Sequence, residues 1–208
     1  MKVLLLNGSP HPRGCTYTAL AEMIGIFEKS GVQTELIQLG GKDIRGCVGC
    51  GRCGQLGRCA FDDLVNETAE KFREADGLVV GSPVYYGSPN GTVLSFMDRL
   101  FYSTSFDKTM KVGAAVVSCR RAGNTASFDV LNKYFSISSM PIASSSYWNN
   151  IHGFTAEDAK KDLEGLQVMR VLARNMVFLM RSIALGREAF GLPEREDKHA
   201  FTSFPDGL

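Results

Sequence analysis

Residues 3–10 are Val3-Leu4-Leu5-Leu6-Asn7-Gly8-Ser9-Pro10, an apolar run that ends in a turn-forming segment. An apolar run without polar alternation predicts a strand that is buried on both faces, as in a parallel sheet. Residues 77–81 and 112–117 repeat the pattern. The chain therefore contains several strands of the kind that helices cover on both sides.

Helical patterns alternate with these apolar runs. Helices are expected around residues 20–27, 62–75, 90–101, 127–135 and 155–189, and further strands at residues 32–39 and 142–145. Gly31 is placed to end the first helix, and Asn90 is placed to cap the third. The alternation predicts an α/β fold, a flavodoxin-like doubly wound parallel sheet of five strands in the order 2-1-3-4-5, followed by a long C-terminal helix.

The composition is that of one globular domain. The chain has 208 residues, of which 44% are hydrophobic, and a formal charge of +1. A near-neutral balance gives no electrostatic reason to expect nucleic acid or a membrane as partner, and no run reaches the roughly 18 apolar residues of a membrane span. The first apolar run is too short for a signal-peptide core. We expect a cytoplasmic protein with a domain at 1–190 and an extended arm at 191–208.

The loop after the first strand has the features of a phosphate site. Ligands of an open parallel sheet bind beyond the carboxyl ends of the strands, where the strand order reverses, here between strands one and three. Between Gly8 and Thr18, hydroxyl groups meet the start of a helix, whose dipole favours an anion. The lysine of the Walker A pattern is missing, so a monophosphate fits better than a nucleoside triphosphate. An ordinary capping turn is the alternative.

The loop after the third strand has the features of a ring-binding site. Tyr85 and Tyr86 are adjacent between prolines and glycines, and they offer a flat apolar wall with polar tips. Taken alone, the two tyrosines fit the core equally well. Combined with a phosphate loop across the same switch point, they favour flavin mononucleotide.

A third loop, from Ser118 to Thr125, is expected on the same edge of the sheet. Ser118 and Arg120 are candidates for cofactor binding there, since an arginine can hold a nicotinamide cofactor's phosphate or polarise a flavin. Solvated surface charge is the alternative for this arginine. Cys119 in this loop and Cys15 at the first helix start are expected to be packing thiols.

Four of the six cysteines lie close together in an inserted loop at residues 43–60. They are Cys47, Cys50, Cys53 and Cys59, with the spacing C-x2-C-x2-C-x5-C. Four thiolates on a glycine-rich backbone are what a 4Fe–4S cluster requires. Structural zinc more often uses two separated C-x2-C pairs, and reduced free thiols are the third reading. All three remain open at this point.

Three motifs resemble the NADPH-dependent FMN reductase group of the flavodoxin superfamily. They are Asn7-Gly8-Ser9-Pro10, the run from Gly81 to Gly87, and Phe96-Met97-Asp98-Arg99. With the cysteine loop, residues 1–150 are similar specifically to the iron–sulfur flavoproteins. The resemblance implies that the phosphate side of FMN contacts Ser9, His11, Arg13, Thr16, Tyr17 and Thr18, and that the isoalloxazine lies against Pro83, Val84, Tyr85, Tyr86 and Gly87.

The resemblance also implies a homodimer or homotetramer, with NAD(P)H or a ferredoxin-like protein as electron donor. The predicted function is an FMN-dependent oxidoreductase, either an NAD(P)H-dependent reductase of flavin or another acceptor, or an iron–sulfur flavoprotein that passes electrons between a donor, FMN and a 4Fe–4S cluster. The alternative is a non-catalytic redox sensor or electron carrier with a structural metal or free thiols. The sequence identifies neither the acceptor nor the preferred pyridine nucleotide.

Overall fold

A computed structural model describes residues 1–194, and a parallel sheet forms the centre of this part of the chain. Its strands are β1 (Lys2–Asn7), β2 (Gln33–Gln38), β3 (Gly77–Tyr85), β4 (Ser88–Pro89), β5 (Val112–Cys119) and β6 (Asn150–His152). The hydrogen-bonded order is β2-β1-β3-β5-β6, all parallel, while β4 pairs antiparallel with the end of β3. Counting only the parallel strands, this is the predicted order 2-1-3-4-5.

Helices cover both faces of the sheet. They are α1 (Cys15–Lys29), α2 (Cys53–Leu56), α3 (Leu64–Glu74), α4 (Gly91–Ser103), α5 (Asn124–Ser136), α6 (Ala156–Ala159) and α7 (Leu163–Phe190). Val3 and Leu5 of β1 belong to the core cluster formed with α1 and α7, whereas Leu4 and Leu6 belong to the cluster formed with α3, α4 and α5. Because both faces are buried, every one of these positions is apolar.

Two predicted helix ends are confirmed by their backbone geometry. Gly31 follows α1 with a φ of +72°, a left-handed conformation that glycine adopts without steric cost. The Asn90 side chain accepts a hydrogen bond of 2.8 Å from the Thr92 N–H at the start of α4. The helix therefore begins at the residue after the predicted cap.

The strand predicted at residues 142–145 is wrong. Ile142 makes only an isolated bridge with Gly113, and β6 forms later, at Asn150–His152. Between them the Asn149 side chain, not a backbone N–H, donates to the Ala115 carbonyl at 3.1 Å. The edge of the sheet is thus completed partly by a side chain, which hydrophobic periodicity does not reveal.

The single helix predicted at residues 155–189 is divided in two. Asp162 lies between α6 and α7, and its carboxylate accepts hydrogen bonds from the Gly165 N–H at 2.9 Å and the His152 N–H at 2.7 Å. A carboxylate on a first-turn N–H favours a new helix start. Leu163 is the first residue of α7, and it is 73% exposed there.

None of the helices within residues 1–194 is long and apolar enough to cross a membrane. Of the arm predicted at 191–208, residues 195–208 lie outside the described part of the chain, and residues 191–194 form neither helix nor strand.

Candidate functional site

A cleft of about 810 Å³ lies at the carboxyl edge of the sheet, where β1 and β3 diverge. The predicted site residues that line it are Ser9, His11, Arg13, Thr16, Pro83, Val84, Tyr85, Ser118 and Arg120. The loop after β1, the last residues of β3 and the end of β5 therefore share one cleft, although they are far apart in sequence. Its volume is within the range of roughly 300–1,000 Å³ that is typical of cofactor and ligand pockets.

Four other predicted residues do not line the cleft, namely Tyr17, Thr18, Tyr86 and Gly87. The Thr18 hydroxyl donates to the Gly14 carbonyl at 3.1 Å, and Tyr86 projects into solvent at the tip of the β3–β4 hairpin. Contacts between these four residues and a cofactor stay predictions.

The first turn of α1 presents free backbone donors to the cleft. Gly14 is the N-cap residue and supplies no side-chain hydrogen bond, and the first turn contains no acidic residue. The N–H groups at the helix start therefore lack a capping partner, and the helix dipole favours an anion there. His11 and Arg13 are exposed beside this turn on the cleft wall. The arrangement suits a phosphate group.

Asn7 and Gln38 hold this loop in shape, and sequence reasoning assigned a role to neither side chain. Asn7 is fully buried, its Oδ1 accepts from the Ser9 N–H at 3.1 Å, and its Nδ2 donates to Gln38 Oε1 at 2.7 Å. Gln38 Nε2 in turn donates to the Ser9 carbonyl at 2.6 Å. A polar residue directly after a wholly apolar run was the available signal for Asn7.

Gly8 joins the first loop to β3 by a close approach of two backbones. Its N–H donates to the Gly81 carbonyl at 2.8 Å. A Cβ at position 8 would lie 2.0 Å from Val93 Cγ2 and 2.8 Å from the Gly81 oxygen, so no larger residue fits without displacing α4 or β3. The glycine thus fixes how the phosphate loop sits against the neighbouring loop.

The tyrosine wall is set by a tight hairpin between β3 and β4. Tyr86 and Gly87 form its two-residue turn with φ of 51° and 76°, the signs expected of a type I′ turn. The Ser82 hydroxyl accepts from the Asn90 N–H at 2.9 Å and ties the two ends of the hairpin together. Tyr85, just before the turn, is thereby held on the cleft wall.

A fourth segment, residues 153–157, runs from the end of β6 into the first turn of α6 and completes the cleft, and it was missed because β6 was not predicted. It contributes Phe154, which is 80% exposed, and Glu157. The Cys15 thiol donates to the Thr155 carbonyl at 3.1 Å and links this loop to the start of α1. Burial raises the pKa of Cys15, so the thiol keeps the proton that this contact uses.

The four clustered cysteines line a second, smaller cavity. Its other walls include Phe61 and, from α4, Arg99, Tyr102 and Ser103. Gly49, Gly51 and Gly57 have φ of 64°, 68° and 66°, which lets the cysteine loop wrap around this cavity. The spacing in sequence therefore brings the thiols Cys47, Cys50, Cys53 and Cys59 to one place.

Four thiols around one cavity are the donor set that a 4Fe–4S cluster takes, one thiolate for each iron. Within residues 1–194 no group of three or more ligating side chains is close enough to hold one metal ion. A single zinc needs all four sulfurs about 2.3 Å from one centre, whereas each iron of a cubane takes one thiolate, so the sulfurs surround a larger body. The free space in this cavity is about 20 Å³, room for about one water molecule. Cys47 and Cys50 are exposed on the outer side, and nothing packs within 4 Å of a Cβ placed at Gly49 or Gly51.

The cleft and the cysteine cavity lie at opposite ends of α4. The cleft is lined by the end of β3, whose Ser82 bonds to Asn90 at the start of this helix, while the cavity is lined by residues near the helix's last turn. Tyr102 lies eleven residues after Gly91, which is an axial rise of about 16 Å. The two sites share no lining residue.

The comparison with protein families and the comparison with individual proteins agree with each other. The family model described as NADPH-dependent FMN reductase matches residues 1–154. An iron–sulfur flavoprotein of Methanocaldococcus jannaschii is 32% identical over 191 residues, which cover 88% of this chain and 99% of the relative. An iron–sulfur flavoprotein of Methanosarcina thermophila is 26% identical over 192 residues, which cover 90% of this chain and 100% of the relative.

Solved structures share the fold at low sequence identity. RosB with a bound intermediate, 8-demethyl-8-formylriboflavin-5'-phosphate, has a TM-score of 0.66 and 17% identity, with 99% of this chain and 92% of that chain covered. A flavodoxin from the domain Archaea has a TM-score of 0.55 and 17% identity, with 88% and 99% covered. At these identities the likeness shows the flavodoxin-like fold.

Proposed function

This chain belongs to the NADPH-dependent FMN reductase family, with iron–sulfur flavoproteins as homologues, and we propose that it is an FMN-dependent oxidoreductase that takes electrons from NAD(P)H. The observation that carries the proposal is the single cleft at which an uncapped helix N-terminus faces the tyrosine loop across the point where the strand order reverses. These are the two features that a phosphorylated flat ring requires.

The chain's own residues bind and orient the cofactor. The N–H groups at the start of α1 hold the phosphate, with Ser9, His11 and Arg13 beside it. Pro83, Val84 and Tyr85 form the wall for the ring. The segment at residues 153–157, which runs into the first turn of α6, closes the other side of the cleft. Bound FMN supplies the redox chemistry, accepting a hydride and giving up electrons as a pair or singly.

The cysteine loop is assigned to a 4Fe–4S cluster as a second redox centre. Support comes from four thiols around one cavity and from the homologous iron–sulfur flavoproteins. Cys47, Cys50, Cys53 and Cys59 would hold the cluster, which exchanges single electrons when bound.

The test is anaerobic purification followed by counting FMN and iron on one sample, with reduction by NADPH and by NADH followed in a stopped-flow spectrophotometer. We expect one FMN and about four iron atoms per chain, and bleaching of the flavin absorbance by at least one nucleotide. A Cys47→Ser/Cys50→Ser variant should lose iron but keep flavin reduction, because the cysteine cavity shares no residue with the cleft.

Each part of the proposal can fail separately. A chain that takes up no FMN on reconstitution contradicts the whole assignment. Bound FMN that neither nucleotide reduces, but that a reduced protein donor does, indicates an electron carrier. One zinc per chain in place of iron contradicts the cluster.

We also propose that copies of the chain associate as a homodimer or homotetramer. Within one chain the cleft and the cysteine cavity share no lining residue, and association offers a way to bring the cysteine loop of one copy beside the cleft of another. The α7 helix offers a contact surface, since Phe178 is 71% and Leu185 67% exposed.

A further inference from the structure

Arg99 is the most deeply buried charged side chain beside the cysteine cavity. It lies on α4 with 1% of its surface exposed, among core residues of that helix. A buried guanidinium is costly unless acceptors surround it. The acceptors around the Arg99 guanidinium therefore show which parts of the protein this side chain binds.

Every nitrogen of the Arg99 guanidinium has an acceptor. Nη1 and Nη2 donate to the two carboxylate oxygens of Asp63 at 2.7 and 2.9 Å, a bidentate ion pair. Nη1 also reaches the Arg45 carbonyl at 3.3 Å, and Nη2 the Phe61 carbonyl at 3.2 Å. These carbonyls lie just before the first and just after the last of the four clustered cysteines, so Arg99 holds the two ends of the loop together.

The remaining acceptor is the sulfur of Cys59. Nε and Nη2 each lie 3.3 Å from Cys59 Sγ, so two N–H groups of one cation point at a predicted cluster ligand. The bidentate ion pair with Asp63 fixes the plane of the guanidinium group. The edge that carries Nε and Nη2 then faces the Cys59 sulfur. Lysine has no planar fork and could not reproduce the geometry.

We infer that Arg99 is a positioning residue that raises the reduction potential of the group bound by the four cysteines, by donating two hydrogen bonds to Cys59 Sγ. The inference rests on the proposed function, because it presupposes the cluster. It concerns a property of the cluster, whereas the proposed function concerns only whether the cluster and FMN are present.

The direction of the change in reduction potential follows from charge. Reduction brings one electron to the cluster and its thiolates, so their total charge becomes more negative by one unit. Hydrogen bonds to the sulfurs and nearby positive charge stabilise this reduced state more than the oxidised state. Removing the Arg99 donors should lower the potential, and removing the opposing charge of Asp63 should raise it.

A purely structural role makes a different prediction. If Arg99 only closes the loop, its replacement lowers iron content or stability, but the potential of any cluster that remains is unchanged. Asp63→Asn separates the two roles, since asparagine can still cap α3 and accept from Arg99 while its charge is gone.

The experiment is an anaerobic redox titration of the holoprotein, with dithionite as electron donor, electron paramagnetic resonance for the cluster and absorbance for the flavin. The variants are Arg99→Lys, Arg99→Gln and Asp63→Asn. The control is Arg58→Gln, which removes a positive charge next to Cys59 in sequence, on a side chain that is 59% exposed and paired with Asp62. The potential of FMN serves as an internal reference, because the cleft shares no residue with the cavity.

We expect Arg99→Gln to lower the equilibrium constant for one-electron reduction of the cluster at least tenfold, which is 59 mV for one electron. Arg99→Lys should recover part of the loss, Asp63→Asn should change the constant in the opposite direction, and Arg58→Gln should stay within about twofold. The flavin potential should not change in any variant.

The outcomes distinguish this inference from the proposed function. Wild-type protein without iron overturns the cluster assignment and the inference with it. Iron-loaded Arg99→Gln with an unchanged cluster potential overturns the inference alone, as does an equal shift in Arg58→Gln. If Arg99→Gln loses its iron, the test depends on Asp63→Asn. A cluster potential in Asp63→Asn that is not higher than in wild type then overturns the inference.

Discussion

Asn7 determines the shape of the loop that follows β1. It has no exposed surface, and its amide joins Ser9, Pro12 and Gln38 through hydrogen bonds of 3.1, 3.3 and 2.7 Å. No part of it lines the cleft. Its effect on a bound phosphate must therefore act through the position of the Ser9 backbone and the start of α1.

Replacing Asn7 by alanine should weaken FMN binding. Each lost hydrogen bond is worth about 1 kcal/mol, so the Kd should rise about tenfold, as measured by fluorescence titration of the apoprotein. Asn149→Ala is the matched control, because this asparagine is equally buried but bonds to Ala115 inside the sheet. It should reduce stability and leave the Kd within twofold. A normal Kd in Asn7→Ala would show that the loop holds its shape without the amide.

For individual residues, the sequence predicted which side chains line the cleft better than which side chains support it from behind. Ser9 and Tyr85 follow apolar strands in turn-forming segments, which is enough to place both on the ligand-binding edge. Asn7 and Gln38 act on backbone atoms from inside the sheet, and their pairing depends on the parallel register of β1 and β2. Hydrophobic periodicity contains no information about that pairing.

Elements with strong periodicity were predicted well, and those determined by tertiary contacts were not. β1, β3 and β5 are buried on both faces, so burial alone specifies them. β6 has only three residues, and its position depends on Asp162, which accepts from the His152 N–H, and on the Asn149 side chain. The same aspartate divides the predicted helix, an effect that a periodic pattern across residues 155–189 conceals.

The edge strand β2 is attached to its neighbours partly by charge. Glu35 of β2 lies 2.9 Å from Lys2 Nζ of β1 and 2.6 Å from Lys71 Nζ of α3. Hydrogen bonds from Lys71 and then Lys2 lower the pKa of Glu35 below its ordinary value. One carboxylate therefore links three elements at the start of the sheet.

The lowered pKa has a pH-dependent consequence for stability. A carboxyl group whose pKa is lower in the folded state stabilises that state above the unfolded pKa, about 4.3 for glutamate, and the contribution disappears as pH falls through the folded pKa. Glu35→Gln should lower the free energy of unfolding by about 1 kcal/mol at pH 7, since the pair is partly exposed. In urea titrations the difference from wild type should shrink as pH falls below about 4. Glu74→Gln is the control, because Glu74 is 74% exposed and lies 3.9 Å from Lys2. A difference for Glu35→Gln that persists at low pH would assign the effect to packing.

At the scale of the whole molecule, the strand order determines which segments of the chain lie next to one another. At the switch point between β1 and β3, three segments that are far apart in the sequence line one cleft. The strand order predicts this meeting point. The cysteine loop follows β2 but packs beside α4, since Gly46 approaches Ser95 of that helix and Gly57 approaches Ser105, two residues after its end. Its path beside that helix was not predictable from the cysteine spacing, which identifies candidate metal ligands but not where they lie relative to the cleft.

Association through α7 can be tested on the intact chain. Phe178 and Leu185 are seven residues apart, so they lie on one face of the helix, and both are exposed. Exposed large apolar side chains on one face are typical of an interface. Light scattering coupled to size-exclusion chromatography should show a dimer or tetramer for wild type and a smaller species for Phe178→Asp/Leu185→Asp. Gln33→Asp, at the exposed start of β2, adds charge elsewhere and should leave the assembly intact.

Activity shows whether the separated chain is still folded. The proposed function places flavin reduction by NAD(P)H in the cleft, and none of the cleft residues belongs to α7. The dissociated variant should therefore keep wild-type FMN content and its rate of flavin bleaching. An assembly of unchanged size in Phe178→Asp/Leu185→Asp would show that copies meet elsewhere, or that α7 serves only its own chain. A small species that has also lost FMN would indicate unfolding, so the flavin content decides between a broken contact and a broken fold.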